Sequence, residues 1–155
     1  MDKKEQDWLI QLTRENQIAQ VLQANQYTKE FQLTLSREDA QTLMIGRKEE
    51  LQRQERVEFG EGIMKKIIYE FCDSPFVYQE NYVDSLLRLQ EIFYLYKNES
   101  LDECTDDELL EYMKQAFDGE CQGDFEYLEN TALESFAREI RANSKSFIGG
   151  NEDDI

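Results

Sequence analysis

A single proline, Pro75, and seven glycines are the only strong helix breakers in 155 residues, and that scarcity constrains the fold more than any motif does. The intervals are rich in Leu, Glu, Gln, Lys and Ala, which lose little rotamer freedom in a helix. Within them apolar side chains recur at three- and four-residue steps, the period of a helix face. The expectation is an all-α chain, a compact bundle of about six helices. Residues 1–142 are read as a single helical domain and 143–155 as a flexible C-terminal tail.

The first helix is expected over about 6–25, on a stripe of Trp8, Leu9, Leu12, Ala19 and Leu22 that Glu15 and Asn16 interrupt. Tyr27, Phe31, Leu33 and Leu35 then alternate, which predicts an extended connection turning its apolar side chains inward. Ser36 ahead of Glu38 and Asp39 reads as a helix N-cap. The helix that follows buries Ala40, Leu43, Met44 and Leu51 and leaves Arg47, Lys48, Glu49 and Glu50 as its charged remainder. The glycines of Phe59-Gly60-Glu61-Gly62 mark the next connection.

Ile63, Met64, Ile67, Ile68, Phe71 and Cys72 form adjacent apolar pairs four residues apart, the broad face of a central helix that Asp73-Ser74-Pro75 stops. Tyr82, Val83, Leu86, Leu87, Leu89, Phe93 and Tyr94 repeat that pattern, with Tyr96 expected to face water. Thr105 followed by Glu108 fits a capping box opening a fifth helix that runs to about Phe117. Phe125, Leu128, Ala132, Phe136 and Ile140 make the stripe of the last.

The formal net charge of −17 is unevenly spread: residues 99–130 hold one lysine against twelve acids, a net of −11. A field of that sign repels phosphate backbones and anionic lipid, so direct nucleic-acid or membrane binding is disfavoured and a basic surface of another protein becomes the expected partner. Its docking residues are Asp102, Glu103, Asp106, Asp107, Glu108 and Glu111. The plainer alternative is a solvated face that keeps the protein soluble.

Zero histidines exclude the usual catalytic triads, zincin helices and carboxylate-histidine di-iron bundles in their standard forms. No nucleotide-binding glycine loop is present either. Cys72, Cys104 and Cys121 show no C-x-x-C spacing and read as reduced thiols, Cys72 as a core residue and the other two beside carboxylates that oppose a thiolate. No run of about 18 apolar residues marks a membrane span, and the opening residues do not form a signal peptide, so the expected location is cytoplasmic.

Residues 118–129 match a calcium-loop spacing at the first, sixth and twelfth positions, Asp118, Gly123 and Glu129. In that reading Asp118, Glu120, Gln122, the backbone of Asp124, Glu126 through water, and Glu129 with two oxygens would surround a calcium ion. Glu120 and Gln122 are longer than the usual ligands and Phe125 replaces an aliphatic, so the plain reading is a helix-loop-helix connection with no cofactor.

The stretches VEFGEGIMKKIIYEFCDSPF, IFYLYKNES and DDELLEYMKQAFDGECQG resemble a bacterial family of small uncharacterised proteins, over roughly residues 27–140. The resemblance implies a bacterial cytoplasmic origin and a compact fold. It assigns no role to Glu58, Gly60, Asp73, Pro75 or Gly119. The functional expectation is thus a non-enzymatic protein-binding or adaptor module using the acidic surface of 99–130. The alternatives are a calcium-responsive module through the 118–129 loop and an acidic DNA mimic.

Overall fold

The computed structural model describes residues 3–58, 62–101 and 103–153, with side chains as far as residue 143 apart from that of Ile10. The fold is all-helical, and no strand occurs among the described residues. Six helices of eight residues or more follow one another: α1 Lys3–Gln23, α2 Arg37–Arg53, α3 Met64–Phe71, α4 Tyr82–Glu99, α5 Asp106–Asp118 and α6 Leu133–Asp153. The last therefore continues through most of the stretch read from sequence as a tail. The chain divides into two compact units, residues 1–90 and 91–155.

In the first unit α1 packs along α2. Its buried residues are Ile18, Val21 and Ala24, one position out of phase with the expected Ala19 and Leu22, while Trp8, Leu9 and Leu12 are 62%, 40% and 44% exposed. The polar break at Glu15 and Asn16 separates two stripes, and only the second of them meets the core.

The connection after α1 is partly helical, one turn at Asn25–Thr28 and a 3₁₀ turn at Lys29–Phe31, which leaves Tyr27 and Phe31 exposed instead of inward. Gln32 at φ 63° ends that turn. Beyond it Leu33 and Leu35 are buried as their alternation predicts, and two side-chain amides replace the missing neighbouring strand. Asn25 accepts from Leu35 N and donates to Leu35 O, both at 2.8 Å. Gln79 does the same to Thr34, at 2.9 and 3.0 Å. Buried backbone groups need partners, and these amides supply them without a sheet.

The Ser36 hydroxyl accepts from Asp39 N at 3.0 Å, and the Asp39 carboxylate accepts from Ser36 N at 2.9 Å. This reciprocal cap fixes the start of α2. On α3 all six expected apolar residues are buried, Ile67 and Ile68 completely. In α4 Tyr82, Leu86, Leu89, Phe93 and Tyr94 are buried and Val83 and Leu87 half-buried. Contrary to the sequence reading, Arg47 and Glu50 on α2 are also buried, at 6% and 2% exposure.

The second unit holds α4 from Glu91, α5 and α6. Thr105 Oγ1 accepts from Glu108 N at 3.1 Å and Glu108 accepts from Thr105 N at 3.0 Å, closing the capping box expected there. Leu109, Leu110, Met113 and Phe117 are the buried face of α5. Tyr96, expected to face water, is fully buried because its hydroxyl donates to Leu128 O at 2.7 Å. Leu128 opens a π-helical stretch, Leu128–Ala132, and the rings of Tyr96, Tyr112 and Phe136 pack there with centroids 5.0–5.9 Å apart. Buried tyrosine hydroxyls usually find a partner, and for Tyr96 it is the Leu128 carbonyl.

Candidate functional site

The exposed side of α5 presents the acidic residues singled out above. Asp106, Asp107 and Glu108 occupy its first turn, where negative charge complements the free amides of a helix start. Glu111 lies four residues after Asp107 and three after Glu108, so the three share one face. Asp107, Glu108, Glu111 and Glu103 are exposed and Asp106 is half-exposed, whereas Asp102 lies outside the described residues. Two lysines partly balance the region: Lys97 reaches Asp106 at 3.4 Å, and Lys114 pairs with Asp118 at 2.8 Å. The cap holds the Glu108 carboxyl below its ordinary range, through the Thr105 backbone amide first and the Thr105 hydroxyl second. Reciprocal capping thus keeps a carboxylate ionised at the surface while it orders the helix behind it.

The 118–129 loop is closed largely by its own groups. Gly119 N donates to Gln115 O, Cys121 N to Ala116 O and Gly123 N to Phe117 O, at 2.9, 3.0 and 2.9 Å. Gln122 and Gly123 take left-handed backbone angles, φ 50° and 79°. The Asp118 carboxylate is held by Lys114, and the Gln122 amide donates to Gly119 O at 2.7 Å. The Asp124 carbonyl accepts from Leu128 N at 3.1 Å. The Asp124 carboxylate caps the next turn, accepting from Glu126 N at 2.9 Å and Tyr127 N at 3.4 Å. Glu120 and Glu126 point to solvent and Glu129 is half-buried. Among the described residues no group of three or more acidic or cysteine side chains is placed to hold a metal ion.

Cys121 is buried beside this loop, and burial first, then Glu120 and Asp124, push its thiol up to about 11. Burial, with Glu108 and Glu103, also raises the half-buried Cys104. Neither environment favours a thiolate nucleophile at neutral pH.

The first unit holds a feature that the sequence did not reveal. A cavity of about 1010 Å³ is lined by α1, α2 and the segment after it, with Ile18, Met44 and Leu51 on its apolar wall and Arg47 among its polar groups. Arg47 looked like a solvated charge because it sits between Gly46 and Lys48 in a polar run. Only its position on the packed face of α2 buries it.

A family model for a family of unknown function, DUF6323, matches residues 20–146. The chain belongs to DUF6323. The matched span takes in α2–α5 whole, and with them both the acidic face and the cavity wall of α2. No curated protein and no solved structure matches, so DUF6323 brings a shared fold to this chain and no activity. No helix among the described residues is long and apolar enough to cross a membrane.

Proposed function

We propose that this chain is a non-enzymatic protein-binding or adaptor module of the bacterial cytoplasm, which docks a basic surface of another protein on the acidic face of α5. The observation that supports this most is the placement of Asp107, Glu108 and Glu111 together on the exposed side of a helix whose opposite side is fully packed. An ordered array of exposed carboxylates steers and orients a basic partner. Direct nucleic-acid binding is disfavoured by the same field, and the three thiols suit a reducing compartment.

The test is affinity capture from the native cell with the unmutated chain and with Glu103→Lys/Glu111→Lys, two exposed positions away from the cap. The expected result is a basic partner retained by the first, lost by the second and released as salt is raised, since exposed charges are screened over about 8–10 Å at moderate ionic strength. A partner held equally by both proteins at high salt would refute the docking face. A captured nucleic-acid-binding protein that DNA displaces would turn the reading into the DNA mimic. Capture that depends on added calcium would revive the 118–129 loop.

A further inference from the structure

Arg47 is 94% removed from solvent in the cavity of the first unit, yet its guanidinium is barely engaged. Nε is sealed from solvent and has no hydrogen-bond partner, and Nη2 makes a long 3.3 Å bond to the Glu58 carbonyl. A guanidinium offers five donors and remains charged at any ordinary pH, so burying it with so few of them engaged is costly. Gly62, at φ +73°, stands directly behind it: a Cβ there would lie 2.4 Å from Nε and 2.6 Å from Cζ. Glycine at this left-handed position thus also leaves the room that the guanidinium occupies.

The rest of the cavity suits an amphipathic ligand. Ile18 and Met44 are buried in its wall, Leu51 is half-buried, and Ile45 is 60% exposed at its edge, an apolar surface in contact with water. Arg14 and Lys48 line the same space from exposed positions, and Glu15 on that rim is already held by Arg37 at 2.5 Å. Asp7, Glu49 and the half-buried Glu58 also line it and disfavour a ligand carrying more than one negative charge. Although the whole protein is strongly acidic, the first unit carries 12 basic and 16 acidic residues, a net of only −4, so its field is no bar to a monoanion.

We infer that this cavity is a binding site for an aliphatic monocarboxylate, its head group held by the Arg47 guanidinium and its chain lying against Ile18, Met44, Ile45 and Leu51. The planar fork of a guanidinium matches a carboxylate with two parallel hydrogen bonds, a geometry that lysine cannot reproduce. Nothing in this site depends on the acidic face of α5.

Titration calorimetry of the full chain with octanoate tests the inference, with octan-1-ol and inorganic phosphate as separate probes. Octanoate is expected to saturate one site, with octan-1-ol and phosphate each at least about tenfold weaker, because one lacks the charge and the other the chain. Arg47→Lys should weaken octanoate by about tenfold or more, and the exposed Lys48→Gln by about twofold to threefold. In the unmutated protein the Arg47 Nε–H resonance should shift in step with octanoate saturation, which reads the guanidinium directly even if Arg47→Lys fails to fold. No saturable octanoate binding, equal binding of octan-1-ol or phosphate, full affinity in Arg47→Lys, or an unmoved Nε–H resonance would each overturn the site.

Discussion

The two units handle charge in opposite ways. The first, with 12 basic and 16 acidic residues, takes Arg47 and Glu50 into its interior. The second holds 5 basic and 18 acidic residues, a net of −13, and among its described residues buries no charged side chain. Its carboxylates stay at the surface, where several act as helix caps or ion-pair partners. Charge held inside a unit must have its desolvation compensated, by Arg53 and Gln54 for Glu50 and, in the inference above, by a ligand for Arg47. Charge kept outside confers long-range steering toward a large one. The contrast teaches that most of the net charge of −17, −13 of it, belongs to one half of the molecule.

Both cores should be equally intolerant of cavities if the contrast is confined to charge. Ile67→Ala or Leu86→Ala in the first unit and Phe117→Ala in the second are each expected to lower stability by about 2–5 kcal/mol in denaturant unfolding, since all three side chains are fully buried. A loss below about 0.5 kcal/mol at both Ile67 and Leu86 would break the core assignment.

Tyr96→Phe isolates a buried hydroxyl contact that ties α4 to the π-helical stretch. It should cost about 1–3 kcal/mol, because the Leu128 carbonyl loses its 2.7 Å donor in a dry setting. An unchanged midpoint would place that hydroxyl in water.

The two reciprocal caps give a smaller and better-matched pair. Ser36→Ala and Thr105→Ala should each cost about 0.5–2 kcal/mol. The second unit's cap should show a pH dependence through its depressed glutamate. With the Glu108 carboxyl lower in the folded than in the unfolded protein, its contribution is present above the ordinary glutamate range and is lost as pH falls through the folded value. Glu108→Gln, which preserves the box geometry, should flatten the acid limb of a pH–stability curve by that contribution, and an unaltered limb would separate the cap from the titration.

Phenol ionisation gives the smallest effect. Tyr82 in the first unit and Tyr112 in the second are both raised to about 12, each by burial first. For Tyr112 the next contributions are Glu139 and Glu120, whereas Tyr82 has Thr28 opposing and Cys72 adding. Stability linked to either is present below the ordinary tyrosine value and lost as pH climbs through about 12. Added salt should lower the Tyr112 midpoint in an ultraviolet titration more than that of Tyr82, because screening acts on carboxylates.

How much of this was legible in the sequence follows the same division. The faces of α3 and α5 and both caps rest on contacts within four residues, so periodicity and spacing located them. Tyr96 was misplaced because its acceptor, Leu128, is 32 residues away. Arg47 was misplaced because a guanidinium reads as surface until packing decides otherwise. The extended 33–35 segment was expected, but its amide partners Asn25 and Gln79 were not, since no local pattern marks a side chain that stands in for a strand. The acidic residues of α5 were found by counting, and their common exposed face by the helical period.

The proposed docking rests on the outward charge of the second unit alone. The measurement that tests it most directly is the affinity of a captured basic partner across a salt series, for the unmutated chain, Glu103→Lys/Glu111→Lys, and a first-unit control, Glu30→Lys/Glu80→Lys, at positions that are equally exposed. The second-unit variant should bind at least about tenfold more weakly at low salt, with a shallower salt dependence, while the control keeps both affinity and slope. Equal losses in the two variants would mean that the partner senses only the total charge and that the acidic face of α5 is not its docking site.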